Sequence, residues 1–229
     1  MLDIVQHKAQ LQAYFNGLGF ERWSAIYGEV PLSAVRRTIR EGHARMLKLA
    51  ESWLAEEGFG SGNSALDAGC GTGLFSEILA RRGMAVTGAD IAPQMAAAAE
   101  SRLRAAGLVG NFVASDLEAI QGRFDLVACF DVLVHYPSAG FAQLCTHLAN
   151  LTGRTMLFTY APYSPLLATL HRIGGMFPKG QRRTEIQMIR EREVYATLAA
   201  AGLRVRRAKP VSHRFYHVTL VEAERIENA

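Results

Sequence analysis

Apolar residues in the first part of the chain recur at the spacing of an α-helix. Between Val35 and Leu54 their separations fit the helical repeat, which places most of them on one face of a helix. An aromatic cluster with interspersed glycines, at 14–28, precedes them. We therefore expect helices joined at glycines over residues 1–59, either as a cap over a functional site or as a helix pair packed on the edge of the domain.

After a Gly/Ser/Asn patch at 58–64, the pattern changes to short apolar strands that alternate with helices. The predicted strands are 65–67, 84–89, 111–114, 124–130 and 155–160, and the predicted helices are 74–82, 93–106 and 138–149. Alternation of this kind indicates an α/β fold with a doubly wound, mainly parallel sheet.

The alternation is interrupted after the strand at 155–160. Residues 161–189 form an insertion with three prolines and three glycines. A helix at 190–201 follows, and two strands at 203–211 and 215–222 are joined by a tight antiparallel turn. We therefore divide the chain into an N-terminal helical cap at 1–59 and a domain at 60–229 that carries the insertion.

Composition limits the class of protein. Hydrophobic residues make up 49% of the 229 positions and charged residues 20%, which excludes a disordered or fibrous chain. Three cysteines without close pairs argue against a disulfide framework and a zinc site. The start of the chain has no apolar signal-peptide core, and no stretch of 18 residues is continuously apolar. We therefore expect a cytoplasmic protein with no protein-bound metal.

The net charge of +4 is unevenly distributed along the chain. Residues 1–160 contain 13 basic and 15 acidic side chains, whereas residues 161–229 contain 12 basic and 6 acidic ones. An anion-binding surface is therefore expected in the last third of the chain.

The strongest local signal is the glycine-rich turn LDAGCGTG at 66–73, between the first strand and its helix. Glycines allow the backbone to turn sharply and to approach a ligand closely. On its own this pattern also suits a dinucleotide.

Acidic residues in this turn and at two strand ends narrow the choice of ligand. Asp90 ends the second strand, where its carboxylate can accept both hydroxyls of a ribose. Asp116 follows the third strand, where it can accept from an adenine amino group. Asp67 can meet a cationic group and would repel a pyrophosphate. The pattern favours a nucleoside with a cationic tail over a dinucleotide.

These segments resemble the motifs of the class I S-adenosylmethionine-dependent methyltransferases. LDAGCGTG, GADI at 88–91 and ASDLE at 114–118 carry the resemblance, and the antiparallel last strand fits the family's seven-stranded, Rossmann-like sheet. The resemblance implies S-adenosylmethionine as the cosubstrate. The expected cofactor-binding residues are Asp67, Gly69, Cys70, Gly71, Gly73, Asp90, Ile91, Asp116, Leu117 and Phe130.

The loop FDVLVHYP at 130–137 follows the fourth strand and is expected to face the methyl acceptor. It lacks the Asn/Asp-Pro-Pro-aromatic run of enzymes that methylate exocyclic amines of bases. No Pro-Cys nucleophile of the cytosine C5 type is present either, so no nucleic-acid partner is expected. His135 is the first catalytic candidate, as a base or as a hydrogen-bond donor at the acceptor oxygen.

Further segments resemble the magnesium-protoporphyrin IX O-methyltransferases of chlorophyll and bacteriochlorophyll synthesis. These segments are 14–29, 35–47, 129–137 and 157–185. The resemblance implies methyl transfer to one ring propionate of magnesium-protoporphyrin IX. Because a propionate is already ionised at neutral pH, His135 would orient it, and the phenol of Tyr27 would reach the acceptor oxygen when the cap closes.

The resemblance has further implications for partners. The magnesium belongs to the substrate, and the insertion offers Arg172, Lys179, Arg182 and Arg183 as countercharge for the porphyrin propionates. It also suggests the porphyrin-binding subunit of magnesium chelatase as a partner and, at most, peripheral contact with the photosynthetic membrane. Two alternatives stay open: a small-molecule O-methyltransferase that acts on a quinol or phenol, with His135 as base, and a non-catalytic porphyrin carrier.

Overall fold

A single sheet organises the computed structural model, which describes residues 4–27, 33–163 and 186–226. Its strands are β1 (Ser64–Ala68), β2 (Ala85–Asp90), β3 (Asn111–Ala114), β4 (Phe124–Cys129), β5 (Thr152–Pro162), β6 (Met188–Ile189), β7 (Leu203–His213) and β8 (Tyr216–Arg225). The helices are α1 (Ile4–Asn16), α2 (Leu18–Tyr27), α3 (Ala34–Glu56), α4 (Leu74–Arg81), α5 (Pro93–Ala105), α6 (Ser138–Leu151) and α7 (Glu191–Ala200). Single turns of 3₁₀ helix occur at Leu117–Ala119 and Leu133–His135.

The strand order is β3-β2-β1-β4-β5-β8-β7, with the two-residue β6 paired to β5 beside this path. β8 is antiparallel to both of its neighbours, whereas the pairs among β1 to β5 are parallel. The doubly wound, mainly parallel, seven-stranded sheet with an antiparallel last strand is therefore confirmed. The sequence pattern did not predict β6, which is too short to produce an alternation.

The boundaries of the predicted elements agree closely with the structure. The largest differences are in β5, which begins at Thr152 rather than Thr155, and in β8, which ends at Arg225 rather than Glu222. β5 continues into Ala161 and Pro162, which we had assigned to the insertion. Residues 164–185, most of the insertion, lie outside the described residues.

The two faces of the sheet pack on separate apolar layers. Along β4, Val127 and Cys129 point into one layer, with α6 and α7, while Leu126 and Ala128 point into the other, with α3 and α4. This alternation follows from the two-residue period of a strand. All four side chains are fully buried, as expected for a central strand covered on both faces.

The segment before β1 is helical, as the spacing of its apolar residues predicted. α1 and α2 meet at Gly17, and Ser33 caps α3 by accepting from the backbone N–H of Arg36. α3 packs against β7 and β8, and α1 lies near α5 and the carboxyl edge of the sheet. The parallel strands β1, β2, β3 and β4 all end at that edge, which collects the turns that carry the sequence motifs.

Arg225, at the end of β8, joins the last turns of two helices to the sheet. Its guanidinium donates to the carbonyl oxygens of Ala149 and Thr152 at the end of α6 and of Ala201 after α7. Carbonyl oxygens at helix ends lack some or all of the intrahelical hydrogen bonds, so a fixed cation provides a donor for several of them at once.

We expect Arg225→Met to lower the free energy of unfolding by about 2 kcal/mol, because partly buried hydrogen bonds to a charged group are lost. The matched control is Arg204→Met, which removes an exposed guanidinium that pairs with Glu224 and should cost less than about 1 kcal/mol. Urea unfolding at constant pH measures both values. Equal losses in the two variants would contradict the role of Arg225.

Candidate active site

A cavity of about 1010 Å³, measured out to its open mouth, lies at the carboxyl edge of the sheet. The turns after β1, β2, β3 and β4 form its walls, and residues of α1, α2 and α3 complete them. Ten of the residues singled out in the sequence line it: Asp67, Gly69, Cys70, Gly71, Asp90, Ile91, Asp116, Leu117, Phe130 and His135. The structure therefore brings together most of the predicted site.

The glycine-rich turn has a backbone that only glycine adopts easily. Gly69 has φ of +80° and Gly71 has φ of +52°. A Cβ at Gly69 would lie 2.1 Å from Cγ2 of Val132, in the loop after β4, whereas a Cβ at Gly71 would meet nothing within 4 Å. Gly69 thus allows two loops to touch, and Gly71 leaves open space for a ligand beside its backbone.

Gly73 is placed differently from the other two glycines of the turn. It does not line the cavity, and a Cβ there would lie 2.8 Å from the Cα of Ala99 in α5. With φ of +81° it starts α4 and allows α4 to approach α5 closely. This glycine serves helix packing behind the turn.

Two carboxylates are buried at the base of this turn. Asp67 accepts a 2.6 Å hydrogen bond from the hydroxyl of Ser76, and Asp90 accepts from the backbone N–H groups of Gly71 and Ala92 at 3.0 and 2.9 Å. Burial raises the pKa of Asp67 to about 6, against the effect of the Ser76 hydrogen bond. Burial likewise raises the pKa of Asp90 to about 6. Burying two carboxylates is costly, which favours a ligand that compensates for the cost.

Asp116 is engaged by the N-terminal helix. Lys8 of α1 donates to its carboxylate at 2.8 Å and lies 2.7 Å from Glu118. Burial alone would lower the pKa of Lys8, but these hydrogen bonds and charges outweigh burial and raise it. An adenine amino group would therefore share the Asp116 carboxylate with Lys8.

α1 also contacts the rim of the cavity at two backbone positions. Gln12 donates to the carbonyl oxygen of Ile91 at 3.0 Å, and a ring nitrogen of His7 lies 2.9 Å from the carbonyl oxygen of His135. Leu11 and Phe15 of the same helix line the cavity. Residues of α1 thus contact the rim of the cavity and form part of its wall.

His135 lies in the 3₁₀ turn after β4 and is buried at the cavity wall. Its ring is 5.6 Å from that of Phe15, in an edge-to-face arrangement. The backbone N–H of Gln187 donates to the carbonyl oxygen of Val134 at 2.7 Å. The chain that returns from the insertion is therefore tied to the residue next to His135.

The second catalytic candidate, Tyr27, is the last residue of α2, and its side chain lies outside the described residues. The basic residues predicted to bind the propionates, Arg172, Lys179, Arg182 and Arg183, also lie outside the described residues. Asp131 and His43 line the cavity as well, although the sequence reasoning did not select either one for the site. Asp131 follows the end of β4, so the rule applied to Asp90 and Asp116 could have found it.

Neither a metal site nor a membrane-crossing helix occurs in the described part of the chain. Within 4–27, 33–163 and 186–226, no group of three or more His, Cys, Asp or Glu side chains is placed to hold a metal ion. Over the same ranges, no helix is long and apolar enough to cross a membrane.

Comparison with known proteins assigns the chain to a family. The family model described as "Magnesium-protoporphyrin IX methyltransferase C-terminus" matches residues 129–225, and the model described as "Methyltransferase domain" matches 65–153. A magnesium-protoporphyrin O-methyltransferase of Synechocystis sp. (strain PCC 6803) is 35% identical over 221 residues, which is 95% of this chain and 96% of the relative. The chain belongs to the magnesium-protoporphyrin O-methyltransferase family.

Solved structures and other relatives agree with this family. The crystal structure of magnesium protoporphyrin IX methyltransferase from Synechocystis PCC 6803 with bound SAH has a TM-score of 0.88 and 34% identity, and covers 96% of this chain and 100% of its own. A ubiquinone biosynthesis O-methyltransferase from Xanthomonas euvesicatoria pv. vesicatoria is 30% identical and covers 87% of this chain and 82% of its own. The Synechocystis magnesium-protoporphyrin O-methyltransferase thus matches over a longer span and at higher identity than this ubiquinone biosynthesis enzyme.

The buried Asp67 gives a prediction for the ligand-free chain. Its raised pKa contributes stability that is complete below the unfolded value near 4 and is lost as the pH rises through about 6. We expect Asp67→Asn to raise the free energy of unfolding at about pH 7.5 by on the order of 2 kcal/mol, and to have little effect near pH 4.

The control for this prediction is Asp125→Asn, which should have the opposite sign. Hydrogen bonds from the backbone N–H and the hydroxyl of Ser64 lower the pKa of Asp125. Asp125→Asn should therefore lower the melting temperature at neutral pH. A lower melting temperature for Asp67→Asn at neutral pH would show that the Asp67 carboxylate stabilises the ligand-free fold, contrary to our expectation.

Proposed function

We propose that this chain transfers a methyl group from S-adenosylmethionine to a propionate carboxylate of magnesium-protoporphyrin IX, which gives the monomethyl ester. The observation that carries the proposal is the cavity itself. One wall presents the carboxylates expected for a nucleoside with a cationic tail, and the loop after β4 presents the imidazole of His135. Membership of the magnesium-protoporphyrin O-methyltransferase family assigns the acceptor.

The chemistry of the cavity wall fits S-adenosylmethionine. Each oxygen of the Asp90 carboxylate accepts one backbone N–H and keeps a lone pair for a ribose hydroxyl. The open space beside Gly71 admits the ligand against the backbone. Asp67 lies under the same turn, where a cationic group favours the ionised carboxylate. Cys70, Ile91, Leu117 and Phe130 are apolar or nearly apolar surfaces for the adenosine.

When bound, S-adenosylmethionine supplies an activated methyl group, so the chain has to orient the acceptor and exclude water. We assign the orientation of the acceptor carboxylate to His135, acting as a hydrogen-bond donor because the carboxylate needs no base. We assign a second contact at the acceptor oxygen to Tyr27. We assign the exclusion of water to α1, whose residues line the cavity and contact its rim.

The insertion at 161–189 is assigned to substrate binding. Its described ends support this role, because Tyr163 follows β5 at the carboxyl edge and Gln187 is bonded to Val134 beside His135. The guanidinium of Arg190 stacks on the ring of Tyr163 at 4.7 Å. An aromatic and cationic surface next to the cavity suits a flat, apolar ring that carries carboxylates.

A quinol O-methyltransferase is the second candidate, and the ubiquinone biosynthesis relative favours it. A quinol has to lose a proton as the methyl group arrives, so His135 would then act as a general base. The concentration of basic residues after residue 160 fits the porphyrin, which carries two carboxylates, better than it fits an uncharged quinol.

Further assignments complete the proposal. We divide the chain into a cap at 1–59 and a methyltransferase domain at 60–229. We assign it to the cytoplasm, with at most peripheral contact with the photosynthetic membrane. The porphyrin-binding subunit of magnesium chelatase is the proposed partner for substrate transfer.

A product assay tests the function. The purified chain is incubated with S-adenosylmethionine and either magnesium-protoporphyrin IX or a catechol-type quinol, and the products are identified by mass spectrometry. We expect the porphyrin monomethyl ester. Methylation of the quinol without ester would support the second candidate, and porphyrin binding without turnover would indicate a carrier.

Substitutions in the two walls of the cavity should affect different quantities, kcat on the acceptor side and SAH affinity on the cosubstrate side. We expect His135→Ala and Tyr27→Phe to lower kcat by about tenfold or more, with little change in SAH affinity, because they act on the acceptor. Asp90→Ala should weaken SAH binding by about tenfold or more, because hydrogen bonds to a charged group are lost. Calorimetry and steady-state kinetics measure both effects.

His147→Gln is the control, because its ring contacts the carbonyl oxygen of Ile120 and does not line the cavity. It should leave both quantities unchanged. Equal losses of SAH affinity in the His135, Tyr27 and Asp90 variants would contradict the division of roles.

A further inference from the structure

A hydrogen-bonded cluster around Asp131 forms the part of the cavity wall that faces β5 and β8. The backbone N–H of Asp131 donates to Oγ1 of Thr159 at 2.7 Å, and the Thr159 hydroxyl lies 3.1 Å from Oδ1 of Asp131. The hydroxyl of Tyr216 lies 3.1 and 3.0 Å from the two carboxylate oxygens. Residues from two neighbouring strands thus fix one carboxylate.

The backbone of Asp131 is also held in an unfavourable conformation. Its φ is +57°, in the left-handed region that residues other than glycine, asparagine and aspartate seldom adopt. Such a conformation persists only where the surroundings enforce it, and it is concentrated at functional sites. In this case, the hydrogen bonds from Thr159 and Tyr216 enforce it and turn the carboxylate toward the cavity.

His43 of α3 faces the same carboxylate. Its Nε2 lies 3.9 Å from Oδ2 of Asp131, and its ring stands edge-on to that of Tyr216 with centroids 6.3 Å apart. His43 is buried and lines the cavity. At 3.9 Å the imidazole and the carboxylate are too far apart for a hydrogen bond, and a charge attraction between them arises only when the imidazole is protonated.

Gly42 explains how His43 reaches this position. A Cβ at Gly42 would lie 2.5 Å from the Cβ of Tyr216, so α3 can approach β8 this closely only with glycine there. Glycine in the middle of a 23-residue helix weakens the helix relative to alanine. The glycine before His43 therefore lowers helix stability but allows the close contact between α3 and β8.

The charges of the cavity point to a role for this imidazole. Among the described residues that line it, four are aspartates, none is a lysine or arginine, and the imidazoles are those of His43 and His135. An anionic acceptor that enters this cavity needs a polar hydrogen or a positive charge to face it. Burial lowers the pKa of His43, and the charge of Asp131 opposes that effect.

We infer that His43 donates a hydrogen bond to the acceptor carboxylate of the porphyrin, and that Asp131 is the positioning residue that holds this imidazole toward it. The inference rests on the proposed function and adds a second imidazole to the acceptor wall. The negative charge of the acceptor oxygen disappears as the ester forms. The contact is therefore strongest before the reaction and acts mainly on substrate binding.

The test compares four variants of the whole chain: His43→Leu, His43→Gln, Asp131→Asn and His213→Gln. Glutamine keeps an N–H donor at position 43, and asparagine tolerates the left-handed backbone at position 131. His213 of β7 is the control, because it pairs with Glu41 of α3, the helix that carries His43, but does not line the cavity. The readouts are the Kd of magnesium-protoporphyrin IX for the SAH-loaded chain, the KM and kcat of the reaction, and the Kd of SAH.

We expect His43→Leu and Asp131→Asn to raise the porphyrin Kd and KM by about tenfold, the order of effect of a lost hydrogen bond to a charged group. His43→Gln should restore part of the affinity. The Kd of SAH should stay within about twofold of the wild-type value in all four variants, and His213→Gln should match the wild type throughout.

A porphyrin Kd and KM that stay at the wild-type values in folded, SAH-binding His43→Leu would overturn the inference. So would a loss of SAH affinity as large as the loss of porphyrin affinity, since that would indicate a structural role. If His43→Leu does not bind SAH, the same comparison is made with His43→Gln and Asp131→Asn, which keep polar groups in place. Wild-type chain that forms no porphyrin ester contradicts the proposed function instead, so the two failures are distinguishable.

Discussion

The burial of carboxylates at one edge of a parallel sheet is the constraint on which the site depends. Parallel strands end together, so acidic residues at or just after β1, β2, β3 and β4 gather around one cavity. Each carboxylate is stabilised by groups that surround it, such as the backbone N–H groups at Asp90, the ammonium of Lys8 at Asp116 and the hydroxyl of Tyr216 at Asp131. These partners offset only part of the cost of burial at Asp67 and Asp90, whose pKa values stay raised to about 6.

The same constraint divides the cavity by charge. Asp67 and Asp90 lie under the glycine-rich turn, where a cationic cosubstrate compensates for their burial. Asp131 lies on the side of β5 and β8, where His43 faces it, and His135 lines the same cavity, so that we assign the anionic acceptor to this side. A methyl transfer from a sulfonium to a carboxylate joins a cation with an anion. A cavity with one wall for each charge suits that reaction.

Much of this arrangement could be predicted from the sequence, because it is local. Asp90 and Asp116 are recognisable by their places at strand ends, and Gly69 and Gly71 by the turn between β1 and α4. Gly73 belongs to the same motif, but its role depends on Ala99 of α5, which the motif does not contain. Sequence spacing reveals a turn and does not reveal which helix packs behind it.

The missed residues depend on contacts between distant parts of the chain. His43 and Asp131 are 88 positions apart, and only the packing of α3 on β8 brings them to 3.9 Å. Two signals for them were present in the sequence: an acidic residue after β4, and a glycine in the middle of an amphipathic helix. Lys8 is a third case, because nothing near it in the sequence indicates that it pairs with Asp116.

Proton release on cosubstrate binding tests most directly whether the cavity is divided by charge. Calorimetric titration of the ligand-free chain with S-adenosylmethionine, in two buffers of different ionisation enthalpy, counts the protons exchanged. Because Asp67 and Asp90 titrate near pH 6 in the free chain, a cation bound beside them should lower both pKa values and release protons at that pH, up to about one proton. At about pH 8 both groups are already ionised and the release should vanish. Binding at pH 6 that releases no protons, or takes them up, would contradict the account.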